Sequence, residues 1–139
     1  MKKIILSISL LVVLSLLAAC GQAAAPVEEA VLTVGSEEYS QSDLEALGSL
    51  SADYTNKDGE TTTYSGVSLT TLLEDANLTS GGETLVFVAS DGYEAELPLA
   101  DALGCASCIV AFDEDILRMI MPDMSSKLQV KDVVEINIK

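Results

Sequence analysis

An apolar segment near the amino terminus constrains this chain more than any other feature, because it removes residues from the part that can fold in water. It follows the basic pair Lys2 and Lys3 and runs from Ile4 to Ala19, interrupted only by serines. A positive start and a short apolar core are typical of a secretory signal, and a membrane span needs about 20 residues. The sequence therefore predicts a leader at residues 1–19.

The apolar segment ends in Leu-Ala-Ala-Cys, which resembles the lipobox of bacterial lipoproteins. The resemblance implies cleavage before Cys20 and a diacylglyceryl group on its thiol. Two or more acyl chains would hold the protein stably on a bacterial membrane, whereas a single chain would not. We expect an extracytoplasmic lipoprotein anchored through Cys20. The alternative is an uncleaved anchor helix in which this cysteine has no role.

Residues 20–30 are small, polar or acidic and contain one proline, so we expect a flexible tether there. The remainder, residues 31–139, is long enough for one compact domain. The chain has no tryptophan and only two phenylalanines, which predicts a core built from aliphatic side chains.

The charge of the chain is strongly acidic, with 22 Asp and Glu against 7 Lys and Arg and a net charge of −15. Such a chain is repelled by nucleic acid and by anionic lipid headgroups, so nucleic acid is excluded as a partner. We expect contact with the membrane through the lipid alone. The remaining partner, a protein or a small ligand, stays unidentified.

Hydrophobic patterning predicts a strand-rich α+β fold with mixed sheets and two or three short helices. The first helix is expected to begin at Ser40 or Ser42, and Ser42 has the capping-box spacing to Glu45. Hairpins are predicted around the turns at residues 56–59 and 90–92. Further elements are expected as helices at residues 68–78 and 99–104, a short strand pair within 31–40, strands at 108–112, 116–121 and 133–138, and a loop at 122–132.

Three segments in order carry a family resemblance: Tyr-Ser-Gly-Val-Ser-Leu at 64–69, Ser-Asp-Gly-Tyr-Glu-Ala-Glu-Leu-Pro-Leu at 90–99, and Leu-Arg-Met-Ile-Met-Pro at 117–122. Together they resemble the oxidoreductase molybdopterin-binding domain, the fold of the sulfite oxidase family. Weaker matches extend the resemblance over about residues 31–139. It implies a sulfite oxidase-like fold, molybdopterin as a cofactor, and a correspondence between Arg118 and an arginine of the family.

The chain departs from that family where its chemistry resides. In the catalytic members a cysteine thiolate binds molybdenum in the region matching residues 49–59, and this chain has no cysteine between 21 and 104. Those enzymes also surround the phosphate of the pterin with Arg, Lys and His, since a phosphate needs donors and positive charge. This chain has one arginine and no histidine. We therefore expect no cofactor, no metal ligands and loss of the molybdenum chemistry.

Two polar clusters are further candidates for a site. Asp91 and Tyr93 could line a cleft together with Arg118, although an Asp-Gly turn also serves a hairpin without any function. The acidic run at residues 113–115, with Asp123, could bind a hard cation, but its spacing is not that of a calcium loop, and a solvated turn is favoured. No histidine is present as a catalytic base, and the catalytic residues stay unknown.

Cys105 and Cys108 form a Cys-x-x-Cys pair that permits several interpretations. A local disulfide is favoured, because two proximate thiols outside the cytoplasm tend to oxidise. Thiol exchange is less favoured, since the pair follows a helical turn and has acidic neighbours that raise a thiol pKa. A zinc site would lack ligands unless two chains shared the metal. Two reduced thiols are the remaining alternative.

Two functional hypotheses follow. The first is a binding module for a ligand or partner, without enzymatic activity, that retains the fold and has lost the metal-binding cysteine. The second is a redox protein that still binds a molybdopterin or uses Cys105 and Cys108 for electron or thiol exchange. As an enzyme, the chain would be a molybdopterin-dependent oxidoreductase.

Overall fold

The computed structural model describes residues 28–139. The expected leader, Cys20 and most of the expected tether lie outside the described residues. Within residues 28–139, none of the helices has the length and apolar character needed to cross a membrane.

Nine strands, three short α-helices and one 3₁₀ helix make up the described part of the chain. They are β1 (Leu32–Val34), β2 (Glu37–Tyr39), α1 (Gln41–Ala46), β3 (Leu50–Thr55), β4 (Thr61–Ser68), α2 (Leu69–Asp75), β5 (Thr84–Ala89), β6 (Glu94–Pro98), α3 (Leu99–Leu103), β7 (Ile109–Asp113), β8 (Ile116–Ile120), a 3₁₀ helix (Ser126–Leu128) and β9 (Val133–Ile138).

The strands form two sheets. The five-stranded sheet has the order β2-β1-β9-β5-β6, and the four-stranded sheet has the order β3-β4-β7-β8. In the larger sheet β1 lies parallel to β9, while the other pairs are antiparallel, so this sheet is mixed. The predicted strand-rich α+β fold with mixed sheets and two or three short helices is confirmed.

Ser40, the other of the two serines considered, is the N-cap of the first helix, α1. The amide of Asp43 donates to Ser40 Oγ at 3.2 Å, and the amide of Ser40 donates back to Asp43 Oδ2 at 2.9 Å, which closes a capping box. The capping role expected for Ser42 is wrong, because Ser42 lies inside the helix, where its amide and hydroxyl donate to the Glu28 carboxylate. These hydrogen bonds hold the pKa of Glu28 below its ordinary value.

The main core is aliphatic, as the composition predicted. Helix α2 contributes Leu69, Leu72 and Leu73, all fully buried, and Phe87 of β5 is the largest fully buried side chain in the described residues. Each buried leucine contributes about 1.5–3 kcal/mol relative to an exposed one. The helices therefore cover the sheets through a few large side chains at helical spacing.

A buried tyrosine joins the start of the domain to the end of α2. Tyr39 is 5% exposed, and its hydroxyl donates to Asp75 Oδ2 at 2.8 Å. Burial, together with this carboxylate, raises the pKa of Tyr39 well above its ordinary value. The Tyr39 hydroxyl therefore has a hydrogen-bond partner although the residue is buried in the core.

A second, smaller cluster lies in the four-stranded sheet. Ala52, Ile109, Ala111 and Ile120 are buried there, with tyrosines of β3 and β4 packed against them. Successive strand residues point to opposite faces, so this cluster lies across the sheet from Val110 and Met119 of the main core. The four-stranded sheet therefore has apolar contacts on both faces.

Residues 122–132, expected as a loop, contain more structure than the pattern indicated. They include the 3₁₀ helix, and the amide of Met119 donates to the carbonyl of Val130 at 2.8 Å. Arg118 and Lys131 form an isolated antiparallel bridge. This segment thereby connects β8 of the smaller sheet to β9 of the larger one, a non-local pairing that local sequence pattern does not reveal.

Candidate functional site

The turn of the β3–β4 hairpin forms one wall of the candidate site. The amide of Gly59 donates to the carbonyl of Asn56 at 3.1 Å, and the amides of Asp58 and Glu60 donate to Asn56 Oδ1 at 2.9 and 3.0 Å. Gly59 has a φ of 82°, which a glycine adopts without strain. A rigid three-residue turn results, as the Asn-Lys-Asp-Gly stretch predicts.

The segment that follows β8 forms the opposite wall. The amide of Met121 donates to Gln129 Oε1 at 2.9 Å, and Gln129 Nε2 donates back to the carbonyl of Met121 at 2.6 Å. Ser125 caps the 3₁₀ helix by accepting from the amide of Lys127 at 3.4 Å. This amide clamp closes the loop so that residues 122–126 face the hairpin.

A cleft of about 370 Å³ lies between the two walls. Its charged groups are the carboxylates of Asp53 and Asp123 and the ammonium of Lys57, which makes no ion pair within the described part of the chain. Asp53 accepts from Thr63 Oγ1 at 2.5 Å, which leaves its second oxygen available. The lining residues are Asp53, Tyr54, Thr55, Asn56, Lys57, Pro122, Asp123, Met124 and Ser126.

The chemistry of this cleft is that of a recognition surface. Two carboxylates accept hydrogen bonds and attract cations, one lysine donates, and Tyr54 and Met124 offer apolar contact. Its walls contain no thiol, imidazole or guanidinium group. The cleft can therefore bind a ligand through charge and packing.

Arg118 lies on β8, outside this cleft. Its Nη1 donates to Asp113 Oδ2 at 3.2 Å and to the hydroxyl of Tyr64 at 3.3 Å, and its guanidinium carbon lies 5.5 Å from the centre of the Tyr64 ring. Its Nε atom is buried and has no partner among the described residues. Both hydrogen bonds of this arginine, to Asp113 and Tyr64, come from Nη1 and stay within its own sheet.

Asp91 and Tyr93 lie at the β5–β6 turn and also outside the cleft. Asp91 Oδ1 accepts from the amide of Tyr93 at 2.9 Å, and Gly92 has a φ of 87°. The Tyr93 hydroxyl donates to the carbonyl of Lys127 at 3.0 Å, although the residue is 45% exposed. In these contacts Asp91 stabilises the turn and Tyr93 docks the 3₁₀ helix on it.

Cys105 and Cys108 form a disulfide between α3 and β7, with their Cα atoms 5.5 Å apart. Cys108 is fully buried and Cys105 is 9% exposed, and both belong to the main core. The carbonyl of Cys108 accepts from the amide of Leu69 at 2.9 Å, so the bridge is fastened to the start of α2.

The acidic turn between β7 and β8 forms a shallow pocket of about 460 Å³ that includes Asp113, Glu114, Asp115 and Lys131. Within residues 28–139, no group of three or more acidic, cysteine or histidine side chains is arranged to hold a metal ion. Asp113 is instead paired with Arg118. The hypothesis of a cation site at this turn has no supporting geometry.

Comparison with known proteins identifies a similar fold. No protein-family description matches the sequence, and a search of curated proteins found no match. The structure is similar to the crystal structure of the sulfane dehydrogenase SoxCD from Paracoccus pantotrophus, with a TM-score of 0.62 and 16% sequence identity. The match covers 78% of this chain and 37% of that chain. This likeness shows the fold alone, and supports a distant molybdopterin-domain-like fold.

The cleft itself was missed by sequence reasoning. Its two walls were each recognised as turns, at residues 56–59 and within 122–132, but no sequence signal placed them together. The pairing of β8 with Val130 and the Gln129 clamp position the second wall, and neither was predicted from the sequence. The one sequence signal that could have indicated the cleft was the high content of polar turn residues in both segments.

Proposed function

We propose that this chain is a lipid-anchored, extracytoplasmic binding module that retains a molybdopterin-domain-like fold without molybdenum chemistry. The anchor is the expected acylated Cys20, which the sequence pattern supports. The partner is another protein or a small ligand outside the cytoplasm. Nucleic acid is disfavoured by the net charge of −15.

This proposal rests on the side-chain groups that line the cleft and could bind a metal or a ligand. The region that matches the metal-binding cysteine of the catalytic family, residues 49–59, supplies Asp53, Tyr54 and Lys57 to the cleft and no thiol. The two cysteines of the described chain are joined to each other in the core. A metal that needs a thiolate ligand does not fit this set.

The electrostatics of the cleft disfavour the phosphate of a pterin cofactor as well. Lys57 faces two carboxylates, Asp53 and Asp123, whereas a phosphate requires several converging donors and positive charge. Arg118, the arginine that matches the family, is held by Asp113 and Tyr64 on a different part of the sheet. The residues present therefore do not fit molybdopterin.

Elemental analysis of the purified full chain tests this proposal. We expect far less than one molybdenum atom per chain after expression in a host that makes the cofactor, and no pterin in the acid extract. A catalytic sulfite oxidase-type enzyme from the same host serves as the control for cofactor supply. Stoichiometric molybdenum in this chain would overturn the proposal.

The alternative redox function depends on Cys105 and Cys108. The existing disulfide is compatible with electron or thiol exchange in principle, but attack on a sulfur requires access. Cys108 has no exposed surface and Cys105 has 9%. Burial of this kind supports a structural bridge.

A further inference from the structure

We propose that the free edge of β3 binds an extended basic segment of another polypeptide by strand addition. The inference rests on the proposed binding role and assigns it a site and a partner class. Strand addition uses the unpaired amides and carbonyls of an edge strand for affinity, and the alternating side chains for specificity. Residues 50–55 provide both.

The hydrogen-bond pattern of the hairpin shows which backbone groups of β3 are free. The amide of Asn56 donates to the carbonyl of Glu60, so hydrogen-bonded pairs recur two residues apart, at Tyr54–Thr62 and Ala52–Tyr64. The intervening residues Ser51, Asp53 and Thr55 therefore direct their amides and carbonyls away from β4. β3 pairs with one strand alone among the described elements.

The two edges of the five-stranded sheet are protected against an added strand. β2 has three residues, two of which are Glu37 and Glu38. β6 carries exposed Glu94 and Glu96 and ends at Pro98, which lacks an amide hydrogen. Short strands, charges and proline are the features by which proteins prevent edge pairing.

The other edge of the four-stranded sheet is already covered. On the outer side of β8, the amide of Met119 donates to the carbonyl of Val130. Met121, just after β8, forms two hydrogen bonds with the Gln129 side chain. Of the four sheet edges in residues 28–139, β3 is the one that has six residues, a single charge and no backbone hydrogen bond on its outer side, where residues 122–126 lie across the cleft. A long edge left open in this way indicates an interaction site.

The side chains of β3 define what the added strand must present. Leu50, Ala52 and Tyr54 lie on one face, where Ala52 and Tyr54 belong to the smaller apolar cluster and Leu50 is 36% exposed. Ser51, Asp53 and Thr55 lie on the other face and are exposed. An added strand therefore places apolar residues beside the first face and polar residues beside the second, in alternation.

Charge determines the chemistry of the polar positions. Asp53 has one carboxylate oxygen free of its bond to Thr63, and the adjoining cleft adds Asp123. Lysine or arginine in the added strand would pair with these groups. If a second copy of this chain paired with β3 around Asp53, the two Asp53 carboxylates would lie close together and repel each other. The two molecules, each of net charge −15, would also repel each other. The occupant is thus a basic strand of a different protein.

Selection from a random-peptide display library against the full chain in detergent micelles tests this inference. We expect enriched peptides in which apolar residues alternate with lysine or arginine. Their binding should weaken about tenfold or more in Ser51→Pro, which removes one outward amide and places a ring against the incoming strand. Asp53→Lys should weaken binding similarly without altering the backbone, so the inference does not depend on the proline variant folding.

Glu94→Lys is the matched control, because it makes the same charge change on the exposed edge strand β6. It should leave peptide affinity unchanged. Hydrogen exchange at the amides of Ser51, Asp53 and Thr55 should slow when an enriched peptide binds. Three results would each overturn the inference: no enriched peptide, binding to Ser51→Pro and Asp53→Lys as strong as binding to the wild-type chain, or protection that grows with protein concentration in the absence of peptide. Failure of the proposed function is a separate result, because it would be detected as molybdenum bound to the purified chain.

Discussion

At the residue scale, close approach of backbone segments limits what a position can accept. Gly66 lies in β4 opposite Ala111 of β7, and a Cβ atom on it would lie 2.0 Å from the carbonyl oxygen of Val110 and 2.5 Å from the Cα atom of Ala111. Backbone atoms cannot yield as the end of a flexible side chain can. The smaller sheet therefore requires glycine here.

Gly66→Ala should lower the free energy of unfolding by about 2–3 kcal/mol, because the new methyl group forces β4 and β7 apart. Chemical denaturation followed by circular dichroism measures this change. Gly104→Ala is the control, since its Cβ atom would meet nothing closer than 3.3 Å, and its stability should change by less than about 1 kcal/mol. A similar result for both variants would contradict the close approach.

Tyr39 gives stability a dependence on high pH. Its pKa is raised in the folded chain, above the 10.0 of an unperturbed tyrosine, by burial and by Asp75. The unfolded residue therefore loses its proton first, and the stability that Tyr39 contributes is complete below pH 10 and decreases as the pH rises above it. Tyr39→Phe should lower stability by about 1–2 kcal/mol at neutral pH and reduce the loss of stability as the pH rises above about 10. Urea unfolding at each pH measures both effects, and an unchanged alkaline slope in the variant would contradict the assignment.

At the scale of elements, turns were predicted well and long-range pairings were not. Asn56–Gly59 and Asp91–Gly92 were identified as hairpin turns, because positive φ angles and side-chain acceptors are properties of the local residues. The segment at residues 122–132 was expected to be a loop, and its bonds to β8 were not foreseen. Those bonds depend on where the other strands lie.

The connection between α3 and β7 gives an element-scale prediction. The disulfide closes a short loop, so Cys105→Ala with Cys108→Ala should lower stability by about 2 kcal/mol. Because the sulfurs are buried, a reductant with an alkylating agent should label the wild-type chain slowly without denaturant and rapidly with it. Mass spectrometry follows the labelling. Rapid labelling of the folded chain would instead favour the redox alternative.

At the scale of the whole molecule, anchoring is a separate property from the fold. We expect radiolabelled fatty acid to be incorporated into the wild-type chain in a bacterial host, because the thiol of Cys20 is the acylation site in the proposed lipoprotein. Cys20→Ala should incorporate none. The double alanine variant at Cys105 and Cys108 is the control and should remain labelled. A mature chain with Met1 intact and Cys20 unmodified would contradict the proposal.

The sequence by itself determined the fold class, the aliphatic core, the hairpin turns and the acidic surface, because these follow from local periodicity, turn residues and composition. Tertiary structure decided which segments meet: the cleft between residues 53–57 and 122–126, the hydrogen bond from Arg118 to Tyr64, and, within residues 28–139, the edge of β3 that pairs with no further strand. Such contacts join residues far apart in the chain, and their partners are selected by how the two sheets pack together, which no local pattern records.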